Sequence, residues 1–182
     1  MSKQLPQHIA DKLDELADIA NDLMDEEDYE GPLKAFREGF EIIPPPKKDW
    51  SATLWFLAGI GDAQWFLEDH KNGIDTWRDA LVFGGLGNVF VHLRRGQVLY
   101  ELGELKESAN ELLRALLLGG EEPFAEEDRK YWDHVTSEAK PPEGWTSWDG
   151  WTGVEKEGPV YEWLMDSSVY EFRPKPGERE EE

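Results

Sequence analysis

The chain contains no cysteine. Disulfides, thiolate metal sites and thiol chemistry are thereby excluded, and a reducing cytoplasm is the natural compartment. Basic charge is also scarce: 19 Lys and Arg stand against 40 Asp and Glu in 182 residues, for a formal net charge of −21. Such a surface repels nucleic acid and anionic lipid and attracts a basic protein partner. Long apolar runs are missing and acidic residues begin by Asp11, so neither a signal peptide nor a membrane anchor is expected. The histidines, at 8, 70, 92 and 134, are scattered, with no His-Glu-x-x-His pair. No serine has a Gly-x-Ser-x-Gly setting, and the acidic run Asp25–Asp28 lacks the spacing and central glycine of a calcium loop. No catalytic residue, metal or cofactor is expected, and the chain reads as a non-enzyme.

What the sequence does contain is a repeated spacing. Between Leu54 and Gly120, Leu57-x2-Ile60-Gly61 is followed after twelve residues by Gly73-x3-Trp77, then Ala80 and Gly85. His92-x2-Arg95-Gly96 is followed after twelve residues by Ser108-x3-Leu112, then Ala115 and Gly120. Upstream, in Leu16-x2-Ile19-Ala20-x2-Leu23, twelve residues lead from Ala20 to Pro32, then come Phe36 and Pro44. A glycine inside a helix costs about 1 kcal/mol against alanine, so its recurrence at equivalent places implies close approach of two helices within a hairpin.

Helix signals agree with that frame. Ile9, Leu13, Leu16, Ile19, Ala20 and Leu23 form one apolar stripe from Pro6 to about Glu27. A second helix is expected from about Gly31 to Ile43, with Gly31-Pro32 as its N-cap and first residue, ended by Pro44-Pro45-Pro46. Asp49 or Ser51 is placed to cap the next helix. The run Gly84-Gly85-Leu86-Gly87-Asn88 has no following Lys-Ser/Thr and no preceding strand, so it reads as a helix C-cap and wide turn, not a phosphate loop. Phe124 to Ala139 reads as one capping helix, with Phe124, Tyr131, Trp132 and Val135 on its apolar side. Beyond Pro141-Pro142, Trp145, Trp148 and Trp151 lie among Gly, Ser and Thr, with Trp163 in a possible short helix over Pro159–Met165. Disordered tails are poor in aromatics, so this stretch is expected to fold back onto the repeats. Arg173 to Glu182 lacks apolar residues and is expected to fray.

Period and small residues together resemble the tetratricopeptide repeat, W-x2-L-G-x2-Y…A-x3-F…P over about 34 residues. The resemblance implies an all-α, short right-handed solenoid of three helical hairpins, at roughly 13–46, 54–87 and 89–122, within a repeat domain spanning 6–140 that includes a cap at 124–139. The Trp-rich segment 141–172 is expected to pack on that solenoid, and 173–182 to form an acidic tail. In tetratricopeptide proteins the first helix of each hairpin lines a concave groove. The repeat maps Asn21, Trp55, Asp62, Trp65, Phe66, Phe90, Arg94, Gln97, Tyr100 and Glu101 to that groove as candidate partner-binding residues. Aromatics with an Arg among polar groups are the composition of an interface hot spot.

The carboxylate clamp of chaperone-binding tetratricopeptide domains is matched only at Asn21 and Arg94. Ala17 stands where that clamp has a basic residue, Gly59 where it has Asn, and Phe90 where it has Lys. A chaperone adaptor is therefore not expected. His92 and Arg95 replace apolar positions of the repeat and need buried partners. Residues 85–97 resemble small bacterial tetratricopeptide proteins encoded beside polymorphic toxin genes, which implies an immunity protein that binds a basic toxin. The alternative is a general adaptor that assembles a protein complex. Both readings are of a protein partner, with no nucleic acid and no membrane.

Overall fold

The structure is a computed structural model, and it describes residues 4–166. Six helices pair as antiparallel neighbours: α1 (Gln7–Asp25) with α2 (Glu30–Ile42), α3 (Ser51–Phe66) with α4 (His70–Val82), and α5 (Val89–Glu101) with α6 (Leu105–Gly119). Each also packs on its successor, so the hairpins stack into a solenoid. Two more helices follow, α7 (Arg129–Glu138) on α6 and the short α8 (Gly158–Leu164). No strand occurs among the described residues. The expected tail from Arg173, with the end of the Trp-rich segment, lies outside the described residues.

Close helix approach accounts for the spaced small residues. A Cβ added at Gly61 would lie 2.5 Å from the Trp77 ring, and one at Gly96 would lie 2.7 Å from Leu112. In both hairpins the glycine and its large partner stand sixteen positions apart, and Trp77 and Leu112 are fully buried. Between hairpins the same device recurs: a Cβ at Gly59 would meet the Phe36 ring at 2.6 Å, and one at Gly39 would overlap Phe56. Apolar burial at these crossings is the main stabilising term, at about 1.5–3 kcal/mol for each large side chain.

Several local expectations are corrected. Helix α2 starts one residue before Gly31, at Glu30, so Gly31 and Pro32 sit in its first turn, where a missing N–H costs nothing. The side chain that serves this end is Asp28, whose Oδ1 accepts the Gly31 N–H at 3.3 Å. The expected caps Asp49 and Ser51 flank the N-cap position of α3. The N-cap position is Trp50, whose indole N–H donates to the Pro44 carbonyl at 2.7 Å. The Lys47–Asp49 linker winds as one 3-10 turn, and Lys47 Nζ donates to the C-terminal carbonyls of α2, with Ile43 O at 2.9 Å. Burial holds the Lys47 ammonium below the usual lysine range, against the pull of Glu41.

The single helix expected from Phe124 to Ala139 is broken. A 3-10 turn at Glu122–Phe124 precedes a bend, and α7 begins only after Asp128, which caps it by accepting the Lys130 N–H at 3.0 Å. An aspartate competes with the helix backbone for its own neighbours, so Asp128 starts a helix where periodicity alone runs through it. The glycine run after α4 is a helix end, with Gly84 at φ +109°.

After α7 the chain turns back along α6. Trp148 is buried and donates its indole N–H to Ala139 O at 3.0 Å. Trp151 donates to Leu116 O at 3.1 Å, and the Val154 N–H to Leu117 O at 2.7 Å. In return, Trp151 O accepts the Glu121 N–H at 2.8 Å. The strap thus gives the Leu117 carbonyl its donor and adds a second one to the Leu116 carbonyl, which already accepts the Gly120 N–H at 2.9 Å. Trp145, by contrast, remains 43% exposed. Beyond the strap, Leu164 of α8 is buried and its carbonyl accepts from Arg114 at 3.1 Å, while the Arg114 guanidinium lies 4.1 Å from the centre of the Trp163 ring.

Candidate functional site: a trough divided from a closed polar cluster

The first helices of the three hairpins, α1, α3 and α5, face one side of the solenoid. Trp55 stands on this face, 43% exposed, held edge-on against the rings of Phe36 at 5.5 Å and Phe56 at 4.9 Å. A pocket opens on each side of it. The first, of about 500 Å³, is lined by Asn21 and Met24 of α1, Leu54, Ala58 and Asp62 of α3, and Asn88 and Phe90 at the start of α5. The second, of about 530 Å³, lies between α1 and the N-terminal turns of α3 and includes Leu13, Asp14, Ala17 and Phe56. Only two charged residues line these pockets, and both are acidic: Asp14 and Asp62.

Asn88 fixes the far wall. Its Oδ1 accepts the N–H groups of Phe90 at 3.0 Å and Val91 at 3.4 Å, so it caps α5 at the mouth of the first pocket. Phe90, 37% exposed, rests edge-on against buried Trp77 at 5.7 Å. Of the expected site residues, the structure brings Asn21, Trp55, Asp62 and Phe90 together around this trough.

The other six lie elsewhere. Arg94 is on the same face but turned into the protein: Nε donates to Asp62 Oδ1 at 2.9 Å, and Nη1 to Gln97 Oε1 at 3.0 Å and Glu127 Oε1 at 3.2 Å. Its guanidinium sits between the Phe90 and Trp65 rings, 5.1 and 5.6 Å from their centres. Gln97 is fully buried and donates to Glu127 Oε2 at 2.7 Å. Two carboxylates thus share one guanidinium. Burial pushes Asp62 above the usual carboxylate range; Arg94 pulls it back and Glu127 adds to the rise.

Helix α7 covers Trp65, Tyr100 and Glu101. Trp65 meets Tyr131 at 6.4 Å, and Tyr100 is edge-on to Tyr131 at 5.4 Å and His134 at 5.1 Å. Glu101 accepts the Tyr131 hydroxyl at 2.6 Å and pairs with Lys130 at 2.8 Å. Burial works to raise the Glu101 carboxyl, but these two hydrogen bonds prevail and hold it below the usual glutamate range. Tyr131 is pushed up, first by burial and then by its bond to Glu101. Phe66 stacks on Tyr29 at 4.6 Å, outside the trough. Sequence spacing had no means of finding Glu127 or Tyr131, since their partners lie about thirty residues away and belong to no repeat position.

The two residues that break the repeat pattern find partners in α6 and the preceding turn. His92 is fully buried; its Nε2 donates to Leu86 O at 2.9 Å and its Nδ1 lies 2.8 Å from Glu111 Oε2. Arg95 Nη1 lies 3.7 Å from the other Glu111 oxygen. This cluster ties the turn before α5 to α6 and fixes the trough wall from behind. Among the described residues there is no group of three His, Asp or Glu able to hold a metal, and no helix long and apolar enough to cross a membrane.

No family model matches the chain, and no curated protein matches it. Among solved structures it is similar to the second tetratricopeptide domain of the human RPAP3 protein, determined in complex with an HSP70 peptide, SGPTIEEVD. The two superpose with a TM-score of 0.56 at 18% identity, over 72% of this chain and 99% of that domain. The likeness establishes the fold as stacked helical hairpins of the tetratricopeptide type.

Proposed function

We propose that this protein is a non-catalytic binding module that takes a segment of a basic protein partner into the trough around Trp55. The observation that carries this reading is the trough itself: two adjoining pockets with mostly apolar walls, an exposed indole between them, and Asp14 and Asp62 as the charged groups. A half-exposed tryptophan between two concavities is the arrangement of an interface anchor. With carboxylates at the rim and a net charge of −21, the approaching segment is selected for Arg and Lys.

The RPAP3 domain was determined with a peptide ending Glu-Glu-Val-Asp. A ligand of that charge would meet only carboxylates among the charged groups lining this trough, so the ligand class here is the opposite one. An immunity protein that neutralises a basic bacterial toxin is one case of this reading, and an adaptor that gathers a basic subunit into a complex is the other. Two labelled peptides decide the charge question: a nonapeptide alternating Leu with Arg, and SGPTIEEVD. The basic peptide is expected to saturate the protein, to lose at least tenfold in affinity on Trp55→Ala, and to weaken as salt rises. Equal affinity for the acidic peptide, or no effect of Trp55→Ala in a folded protein, would refute the proposal.

A further inference from the structure

We propose, resting on the binding function above, that the first pocket is a lysine site: one lysine side chain of the partner lies along α3 and sets its ammonium on Oδ2 of Asp62. Leu54, Ala58 and Asp62 line the pocket four residues apart, a row along the helix with steps of about 6 Å. Two apolar positions followed by a carboxylate match a lysine, whose methylene stem covers apolar surface while its charged head finds a polar partner.

The polar cluster behind this row is unbalanced in charge. Asp62 and Glu127 share the single guanidinium of Arg94, and Gln97 adds no charge, so the four side chains sum to −1. Within the cluster the surplus opens at Asp62, which is 24% exposed and lines the pocket. Burial already raises the Asp62 carboxyl, and Glu127 adds to the rise, so a second cation relieves a charge that one guanidinium leaves uncompensated. Asp14 differs. It belongs to the second pocket and is exposed, and an exposed carboxylate attracts a cation but holds it weakly.

The oxygens left open select lysine over arginine. Arg94 Nε holds Oδ1 of Asp62 at 2.9 Å, and among the described residues no hydrogen-bond donor reaches Oδ2. The advantage of arginine is a fork that engages both oxygens of one carboxylate, which is closed here, whereas a point ammonium needs only one. Asn88 is no substitute acceptor, because its Oδ1 already takes the N–H groups of Phe90 and Val91.

Three nonapeptides with Leu at every odd position test this, carrying Lys, Arg or acetyl-lysine at the even ones. The wild-type protein is expected to bind the Lys peptide about threefold or more tighter than the Arg peptide, and the uncharged acetyl-lysine peptide far more weakly than either. Asp62→Asn, which keeps an oxygen for Arg94 Nε, should cost the Lys peptide about tenfold or more and erase its advantage over Arg. Asp14→Asn should weaken both basic peptides alike, by less than about threefold. Circular dichroism establishes that each variant is folded, and the wild-type comparison of Lys with Arg decides without any variant. A Lys preference that survives Asp62→Asn in a folded protein would overturn the proposal. Equal or tighter binding of the Arg peptide, still dependent on Trp55, would overturn the lysine site while leaving the proposed function standing. Failure of both basic peptides to bind through Trp55 would remove the two together.

Discussion

Trp148→Ala and Trp145→Ala form a matched pair of perturbations in one strap, and the structure assigns them different costs. Trp148 is 4% exposed, packs in the cluster of Leu112, Leu116 and Trp132, and gives its indole N–H to Ala139 O. Truncating a buried tryptophan costs about 3–5 kcal/mol, because the transfer term is joined by the cavity left behind. The Ala139 carbonyl also loses its side-chain donor. Trp145 is 43% exposed and its ring contact is edge-on to Trp151 at 5.3 Å, a geometry worth about 0.5–1.5 kcal/mol. At about 2–4 °C per kcal/mol for a chain of this size, Trp148→Ala should lower the melting temperature by about 6–20 °C and Trp145→Ala by only a few degrees. Urea unfolding followed by circular dichroism at 222 nm gives the free energies without relying on the fluorescence of the altered residues. Equal losses for the two, or a cost below about 1 kcal/mol for Trp148→Ala, would refute the account of the strap as part of the core.

Two further outcomes follow from the polar cluster beside the trough. Arg94→Ala should destabilise the fold, by about 1.5–3 kcal/mol for loss of charged hydrogen bonds, and Arg94→Lys should not restore it, since a point ammonium cannot serve Asp62, Gln97 and Glu127 together; chemical denaturation of both variants reads this. Glu101 is held below its ordinary value of 4.5, so its contribution to stability is present above that pH and is lost as pH falls through the folded value. Asp62 is raised, so its contribution has the opposite sign: present below 3.8 and lost as pH rises through the folded value. Glu101→Gln should therefore flatten the acid side of the stability profile below about pH 4.5, and Tyr131→Phe should do so in part, as measured by melting temperature across pH 2.5–7.

The repeated frame could be read from the sequence because it depends on short-range regularities. Gly61 with Trp77, and Gly96 with Leu112, are fixed by hairpin geometry and recur at one spacing, so the sequence carries each contact twice. The site was legible only in part. Asn21, Trp55, Asp62 and Phe90 share the trough because the repeat fixes which helix face they occupy. Arg94, Gln97 and Tyr100 share that face too, but α7 and Glu127 have taken them up, and this involves residues about thirty positions apart with no periodic trace. The break at Asp128 was missed for a related reason. An apolar stripe runs through Phe124 and Tyr131 alike, and only the capping chemistry of one aspartate separates them.

The strap that returns along α6 also gives the molecule a direction in time. Each hairpin can close as soon as its second helix has been synthesised, since its partners lie close in sequence. The end of α6 cannot be completed that way: Val154, whose N–H binds Leu117 O, comes 37 residues later. At about 5–20 residues per second, a ribosome leaves that carbonyl waiting for roughly 2–7 s after α6 is made. The nascent solenoid therefore has an open end at α6 until the strap emerges and seals it. A pull applied to the chain beyond α8 must run the same film backwards, peeling the strap before any hairpin is reached.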